Sequence, residues 1–539
     1  MTRLSYKQHP PDGDWDAIVI GSGVGGLCAA ALLSRYGNKR VCVLERHSVA
    51  GGYTHVFKRR GYEWDVGIHY IGEVDEKSVM GYLFDVITAG QIKWEPTPAC
   101  YDRIVLGDRS FDLVAGRKNF VESLVRDFPD SREDIDAYMA LMDKVSKSTP
   151  GYFAYQLLPI GVRQAVAPLV TRKFRQFSDQ TVEEALRPII KDPVLFDVLT
   201  GQCGDYGLTP REASLAVHTM VVMHYMEGAY YPVGGPATIA DGTETVIGES
   251  DGAIYTNAEV GEILLEGKRA VGVRMADGKE LRAKVVISDA GVPATYMKLL
   301  PKDVAEKTGV PAKVRDIGPS AAHLCLHLGF TETAEELGLD GTNIWAYAPG
   351  DREENSARFA ADSKATIPFA YLSFPSAKDP TFQERYPGKA TVEIIIPAQM
   401  EWFEEWADTK WMKRGDAYEA WKAAMSERML EILYAHRPQL EGKVDYQELS
   451  TPLSTRHFTG HEAGEMYGLT HTPERFRAGF RVRSGVPGLF LAGADVSSCG
   501  VAGALFGGVL AAGAALEGKL AGLILRHITP GLAAKAEEA

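Results

Sequence analysis

At 539 residues the chain exceeds what one hydrophobic core supports, and domains of ~100–200 residues point to two or three cores. Hydrophobic residues at 45% and charged residues at 24% are those of a globular protein, and 55 glycines point to tight turns and close backbone approaches rather than disorder. A formal net charge of −13 excludes nucleic acid as the main partner, because a phosphate-binding surface needs a surplus of Lys and Arg.

Met1 to Asp14 is polar and carries prolines, so it cannot serve as the apolar region of a secretory leader. Six scattered cysteines (Cys28, Cys42, Cys100, Cys203, Cys325, Cys499), with no CxxC pair, read as reduced thiols in a cytoplasmic protein. Asp16–Ile20 reads as a short β run, Gly25–Tyr36 as an alanine-rich helix and Arg40–Leu44 as a second β run ending in Glu45, which together make a βαβ unit. Between its first strand and the helix, Gly21-Ser22-Gly23-Val24-Gly25-Gly26 matches GxGxxG. Its glycines serve a tight turn, the approach of a pyrophosphate and close packing of helix on strand, and the helix N-terminus offers free N–H groups to phosphate. Glu45 follows about 20 residues later, where an acidic side chain accepts hydrogen bonds from an adenosine ribose. This much does not choose between FAD and NAD. The glycine doublet in Ala50-Gly51-Gly52-Tyr53 favours FAD, since a plain NAD fold would enter its next helix there.

Tyr152–Phe177 interleaves Arg163, Arg172, Lys173 and Arg175 with apolar residues and has no acidic ones, a pattern shared by a helical lid and a membrane-docking segment. Ala253–Ile287 reads as strands around Asp277-Gly278, and Leu489–Ala492 as a strand that runs through Gly493-Ala494-Asp495 into a small-residue helix from Gly500. That helix is read as buried core rather than a membrane span, because it is rich in Gly and Ala and marginal in length. The expected architecture is therefore α/β. A discontinuous Rossmann-type FAD-binding domain takes residues 1–73, 232–292 and 484–539, and an inserted α+β substrate domain takes 74–231 and 293–483, with 152–177 as its lid or membrane contact.

Taken together, Asp16–Gly26, Val43-Leu44-Glu45-Arg46, Gly51-Gly52-Tyr53, Trp64-Asp65-Val66-Gly67-Ile68-His69-Tyr70, Tyr231-Pro232-Val233-Gly234-Gly235-Pro236 and Gly493–Gly508 resemble the phytoene desaturase and carotenoid isomerase superfamily of flavoproteins. Within it, Val66–Gly72 looks most like the retinol saturases. The resemblance covers both ends and the middle of the chain, and the substrate domain only loosely. It implies FAD with its phosphates at Gly21, Gly23 and Gly26, its ribose at Glu45 and its adenine near Val260; with no spacing argument for a link to Cys499, the cofactor is expected to be noncovalent. Flavin-ring contacts are implied near Gly67, His69, Asp495 and Gly503, and Gly25, Arg46, Gly51, Gly52, Tyr53, Gly493 and Ala504 join the cofactor set. The substrate it implies is lipidic, a retinoid, carotenoid or unsaturated fatty chain, and saturation is favoured over desaturation.

Such chemistry needs a hydride from the flavin and a proton on the neighbouring carbon, so few catalytic side chains are required. His69 and Tyr70 are the candidates; Tyr230 and Tyr231 are weaker ones that would line the tunnel. His323 and His327 stand four apart in Ala322–Phe330, but that run alternates as a strand and contains no acidic ligand, so no metal is expected. With no second GxGxxG after a strand, a reductase would draw its electrons from a separate donor. Carotenoid isomerisation, desaturation, flavin amine oxidation and flavin-free lipid carriage on the same fold are the competing readings.

Overall fold

The computed structural model describes residues 3–155, 160–517 and 520. The βαβ unit forms from Trp15–Ile20, Val24–Gly37 and Val41–Leu44. Apart from Asp16 near the start of the first, both strands are apolar on both faces, as suits the interior of a parallel sheet, and the helix ends where Asn38 turns left-handed. Around them an eight-stranded sheet runs in the order Arg3–Ser5, Ala253–Thr256, Val41–Leu44, Trp15–Ile20, Glu280–Ser288, Arg269–Met275 and Val260–Glu266, with Leu489–Leu491 also on Glu280–Ser288. Strand Glu280–Ser288 turns the sheet from parallel to antiparallel. Residues 283–288 pair in parallel with Trp15–Ile20, whereas Arg269–Met275 joins it antiparallel. Three separated stretches of chain thus meet in one sheet.

Helices Val24–Gly37, Thr238–Gly248 and Gly500–Ala515 cover one face of this sheet. Val79–Thr88, on the substrate side of the expected 73/74 boundary, joins them, because its buried Met80, Leu83, Phe84 and Ile87 belong to the same apolar cluster. Gly500–Ala515 packs directly on Val24–Gly37, with Gly508 against the Gly25 carbonyl. Among the described residues no helix is long and apolar enough to cross a membrane.

A second, seven-stranded sheet runs Val444–Ser450, Ala322–Phe330, Ala390–Ala398, Phe369–Ser373, Asn343–Tyr347, Cys100–Leu106 and Arg109–Val114. It is antiparallel except between Asn343–Tyr347 and Cys100–Leu106. One face packs on helices including Arg132–Ala154 and Leu215–His224, the other on Asp416–His436. In the basic segment, Ile160–Ser178 is helical; Leu169 is 74% exposed and Val162 51%, and Arg172, Lys173 and Arg175 are exposed beside them. Phe174 turns inward and stacks on Tyr152 at 4.0 Å. The Arg163 side chain lies outside the described residues.

Candidate active site

The end of Trp15–Ile20 builds a cradle from three interlocked loops. Gly21 has φ +96°, a conformation that an L side chain resists, and its N–H donates to the Leu44 carbonyl at 2.9 Å. Ser22 donates from its N–H and hydroxyl to Glu45 Oε2, at 2.9 and 2.6 Å, and the His47 N–H donates to Glu45 Oε1 at 2.7 Å. The Gly51 N–H donates to the Ser22 hydroxyl at 3.1 Å, and a Cβ on Gly52 would stand 2.9 Å from Gly23 Cα. Backbone is therefore exposed where a side chain would block a phosphate, beside a helix N-terminus and a buried carboxylate, and this donor set fits a dinucleotide.

Beyond the cradle opens a cavity of about 1680 Å³. That exceeds the ~300–1,000 Å³ usual for small-molecule sites, which leaves room for a cofactor and a substrate together. Gly21, Gly23, Glu45, Arg46, Gly51, Gly52, Tyr53, Gly67, His69, Tyr70, Val260, Gly493, Asp495, Gly503 and Ala504 all line it. Gly25 and Gly26 do not. A Cβ on Gly26 would overlap the Gly21 carbonyl, and one on Gly25 would come within 2.6 Å of the Gly493 nitrogen, so both serve helix packing. Tyr230 and Tyr231 are also absent from the lining; Tyr231 is buried and donates to Asp65 Oδ2 at 2.7 Å. The far wall is aromatic and aliphatic, including Met220, Tyr225, Trp345, Phe369 and Tyr371.

His69 lines the same cavity, and its ring centroid lies 5.6 Å from that of Tyr371 in this wall. Its Nδ1 lies 2.9 Å from Glu393 Oε2, and His327 Nδ1 lies 3.4 Å from Glu393 Oε1. Strand pairing supplies this acid: His327 and Glu393 face each other in register on Ala322–Phe330 and Ala390–Ala398. Asp65, His69 and Glu393 offer ligand atoms that all lie within 4.8 Å of one another, so the acidic partner missing from the His323–His327 run comes from neighbouring elements. Burial acts to raise the Glu393 carboxyl, but the two histidines prevail and hold it low; burial and the Glu393 charge push Asp65 well above the usual carboxylate range. The Lys378 ammonium donates to the His69 carbonyl at 2.8 Å, Asn343 Oδ1 at 2.5 Å and the Ser373 hydroxyl at 2.9 Å. Burial lowers it to about 8 against the opposing charges of Asp65, Asp102 and Glu393.

Tyr70 stacks on Tyr225 at 4.3 Å, and its hydroxyl lies 3.0 Å from Asp102 Oδ2 and 2.9 Å from Asp205 Oδ2. Burial and these carboxylates raise the phenol. Sequence reasoning gave no role to Asp65, Glu393 or Lys378. The one available signal was a lone charge in an apolar run, as in Val392-Glu393-Ile394.

The model of the flavin containing amine oxidoreductase family matches residues 24–516. The human all-trans-retinol 13,14-reductase is 36% identical over 525 residues, covering 94% of this chain and 86% of its own length. The chloroplastic prolycopene isomerase of Arabidopsis thaliana is 27% identical, covering 85% and 75%. Among solved structures, cyclohexylamine oxidase from Brevibacterium oxydans superposes with a TM-score of 0.58 at 17% identity, covering 96% of this chain and 100% of its own, which shows a common fold. With the glycine cradle and this match across most of its length, the chain belongs to the flavin-containing amine oxidoreductase family and is a flavin-dependent oxidoreductase.

Proposed function

We propose that the protein is an FAD-dependent reductase of a carbon–carbon double bond in a long apolar polyene of the retinoid class. One observation carries this reading: a single cavity is lined by the glycine cradle, by aromatic and aliphatic residues and by His69. The retinoid class follows from the human relative's name. Bound in the cradle in its reduced form, the flavin would supply the hydride. Gly21, Gly23, Gly51 and Gly52 would hold its phosphates, Glu45 the ribose and Val260 the adenine side, with Gly67, Asp495, Gly503 and Ala504 towards the ring. His69 holds the proton that the second carbon receives. Tyr70 keeps its hydroxyl engaged with Asp102 and Asp205 and shapes the wall beside it. The apolar walls exclude water from the reacting bond. Burial pushes the Cys499 thiol up to about 12, which leaves it too weak a nucleophile for a flavin link and supports noncovalent binding.

The flavin domain comprises the described residues of 1–73, 232–292 and 484–539, with Val79–Thr88 docked on it, and the remaining described residues form the substrate domain. Electrons reach the flavin from a separate donor. Exposed Leu169 and Val162 beside Arg172, Lys173 and Arg175 make a surface for peripheral contact with an anionic membrane, from which an apolar substrate would be drawn.

The purified protein would be reduced anaerobically and mixed with retinoids, carotenoids or unsaturated fatty acids while the flavin absorbance is followed. Reoxidation coupled to the loss of one double bond is expected. Amine turnover with peroxide release, isomerisation without net redox change, or a colourless protein that binds lipid would each overturn the proposal.

A further inference from the structure

Outside the cofactor cradle, a group of buried ionisable side chains sits behind His69. Glu393 is fully buried in the second sheet with a histidine at each carboxylate oxygen, His69 on the cavity side and His327 on the other. Apart from these ion-pair approaches, neither Glu393 oxygen nor His69 Nδ1 has a hydrogen-bond partner among the described residues. His327 is anchored at its far nitrogen, where Nε2 lies 3.2 Å from the Ser450 hydroxyl. The His69 ring is also held at its edge by Tyr371, with centroids 5.6 Å apart, and its backbone is held by Lys378.

From this arrangement we infer that Glu393 is the positioning residue of the proton donor. It fixes the His69 ring with Nδ1–H toward the carboxylate and Nε2–H toward the cavity, and His327 competes for the same negative charge. The inference deepens the proposed reduction and rests on His69 being its acid. In the step itself a hydride adds to one carbon of the double bond, and the other carbon bonds to the proton that leaves His69 Nε2. The imidazolium becomes a neutral imidazole that keeps its Nδ1 proton on Glu393, and water takes part only after product leaves, when it restores the Nε2 proton. A carboxylate shared by two imidazoles stabilises the charge on either one less than it would stabilise a single partner, so Glu393 and His327 act on His69 in opposite senses.

The other groups facing this pair do not replace Glu393. Asp65 is within ligand distance of His69, but burial and the Glu393 charge push its carboxyl well above the usual carboxylate range, and it already accepts from Tyr231. His323 is a buried neutral neighbour, its imidazole lowered to about 4 by burial and by the charges of His327 and His69. Lys378 acts on the His69 carbonyl, not on the ring. Cys325 is buried on the same strand as His327, and burial raises its thiol far beyond the working range. A divalent cation among Asp65, His69 and Glu393 is the competing occupant, and it would take the Nδ1 lone pair that the inference assigns to a proton.

The test uses the flavin-loaded enzyme, reduced anaerobically with dithionite and mixed with all-trans-retinol in single turnover, with flavin reoxidation followed from about pH 6 to about pH 9. His69→Gln is the control for the underlying reading, and a wild-type rate in it would remove His69 as the acid and this inference with it. Given a slow His69→Gln, the expectation for Glu393→Gln is a rate about 100-fold below wild type at neutral pH, with the loss of rate setting in at lower pH and the retinol concentration dependence unchanged. Glu393→Asp should recover part of that rate. His327→Asn should move the profile the other way, holding activity to higher pH, which general damage to the sheet would not produce. If Glu393→Gln fails to fold, judged by flavin content and melting temperature, the direction of the His327→Asn shift decides alone. Profiles that move together or do not move, or one equivalent of metal per chain that Glu393→Gln abolishes, would overturn the inference.

Discussion

Asp289 follows strand Glu280–Ser288 and points its carboxylate into the glycine cradle. A Cβ on Gly23 would stand 2.6 Å from one of its oxygens, and Cβ atoms on Gly25 and Gly493 would each stand 2.5 Å from the other. Burial raises its carboxyl to about 7; the Gly26 N–H opposes that, and the charges of Glu45 and Asp495 add to it. The native protein therefore holds a proton that the unfolded chain releases near 3.8. That contribution is complete below about pH 4, and it is lost as pH rises toward 7, since the unfolded state binds fewer protons across this window. A shift of about three units corresponds to ~4 kcal/mol at most. Asp289 also faces the cavity, and water there screens part of the effect, so ~2 kcal/mol is the working figure. Asp289→Asn keeps an oxygen for the Gly26 N–H but never ionises. Its apparent melting temperature at a fixed scan rate, relative to wild type, should rise from about pH 5 to about pH 8, by roughly 2 °C for a chain of this size. A difference that is the same at both pH values would refute the assignment of a proton to this carboxyl.

Three further outcomes are expected. Glu45→Ala removes the acceptor of two Ser22 hydrogen bonds and loosens the first loop, so FAD affinity measured by flavin fluorescence should fall about 10- to 100-fold. Gly508→Ala places a methyl against the Gly25 carbonyl and 2.7 Å from Cys28 Cβ, forcing apart the helices Val24–Gly37 and Gly500–Ala515; a loss of ~1–3 kcal/mol with reduced flavin content should appear in thermal unfolding. Replacing Arg163, Arg172, Lys173 and Arg175 by Gln should weaken sedimentation with anionic liposomes while bound flavin stays unchanged, and equal sedimentation would leave Ile160–Ser178 as a lid alone.

The α/β class and the first βαβ unit were legible because their signals are local. Strand, glycine turn, helix and acid follow one another within Trp15–Glu45, and apolar period and turn chemistry report on neighbours in sequence. What Gly25 and Gly26 do was less legible. A glycine that admits a phosphate and one that admits Gly493 or the Gly21 carbonyl look alike in a motif, and only the tertiary neighbour separates them. The histidine and carboxylate cluster was hidden for a related reason. His327 and Glu393 lie far apart in sequence and become neighbours through strand register, while Asp65 and His69 arrive from a different element. Val79–Thr88 carries an apolar face that fits either core, and its docking on Thr238–Gly248 depends on a helix much later in the chain.

That the first sheet is threaded by three separated stretches bears on how the protein is made. Strand Trp15–Ile20 leaves the ribosome early, but its partner Glu280–Ser288 comes hundreds of residues later, and Leu489–Leu491 later still. Contacts so distant in sequence impose a slow, late closure. Until Leu489–Leu491 is added, strand Glu280–Ser288 keeps an open, apolar edge that invites pairing with other chains. The flavin cradle, which includes Gly493 and Gly503, cannot close before nearly the whole chain has been synthesised. Cofactor supply and chaperone capacity at the end of synthesis, rather than early in it, should therefore govern the yield of coloured protein.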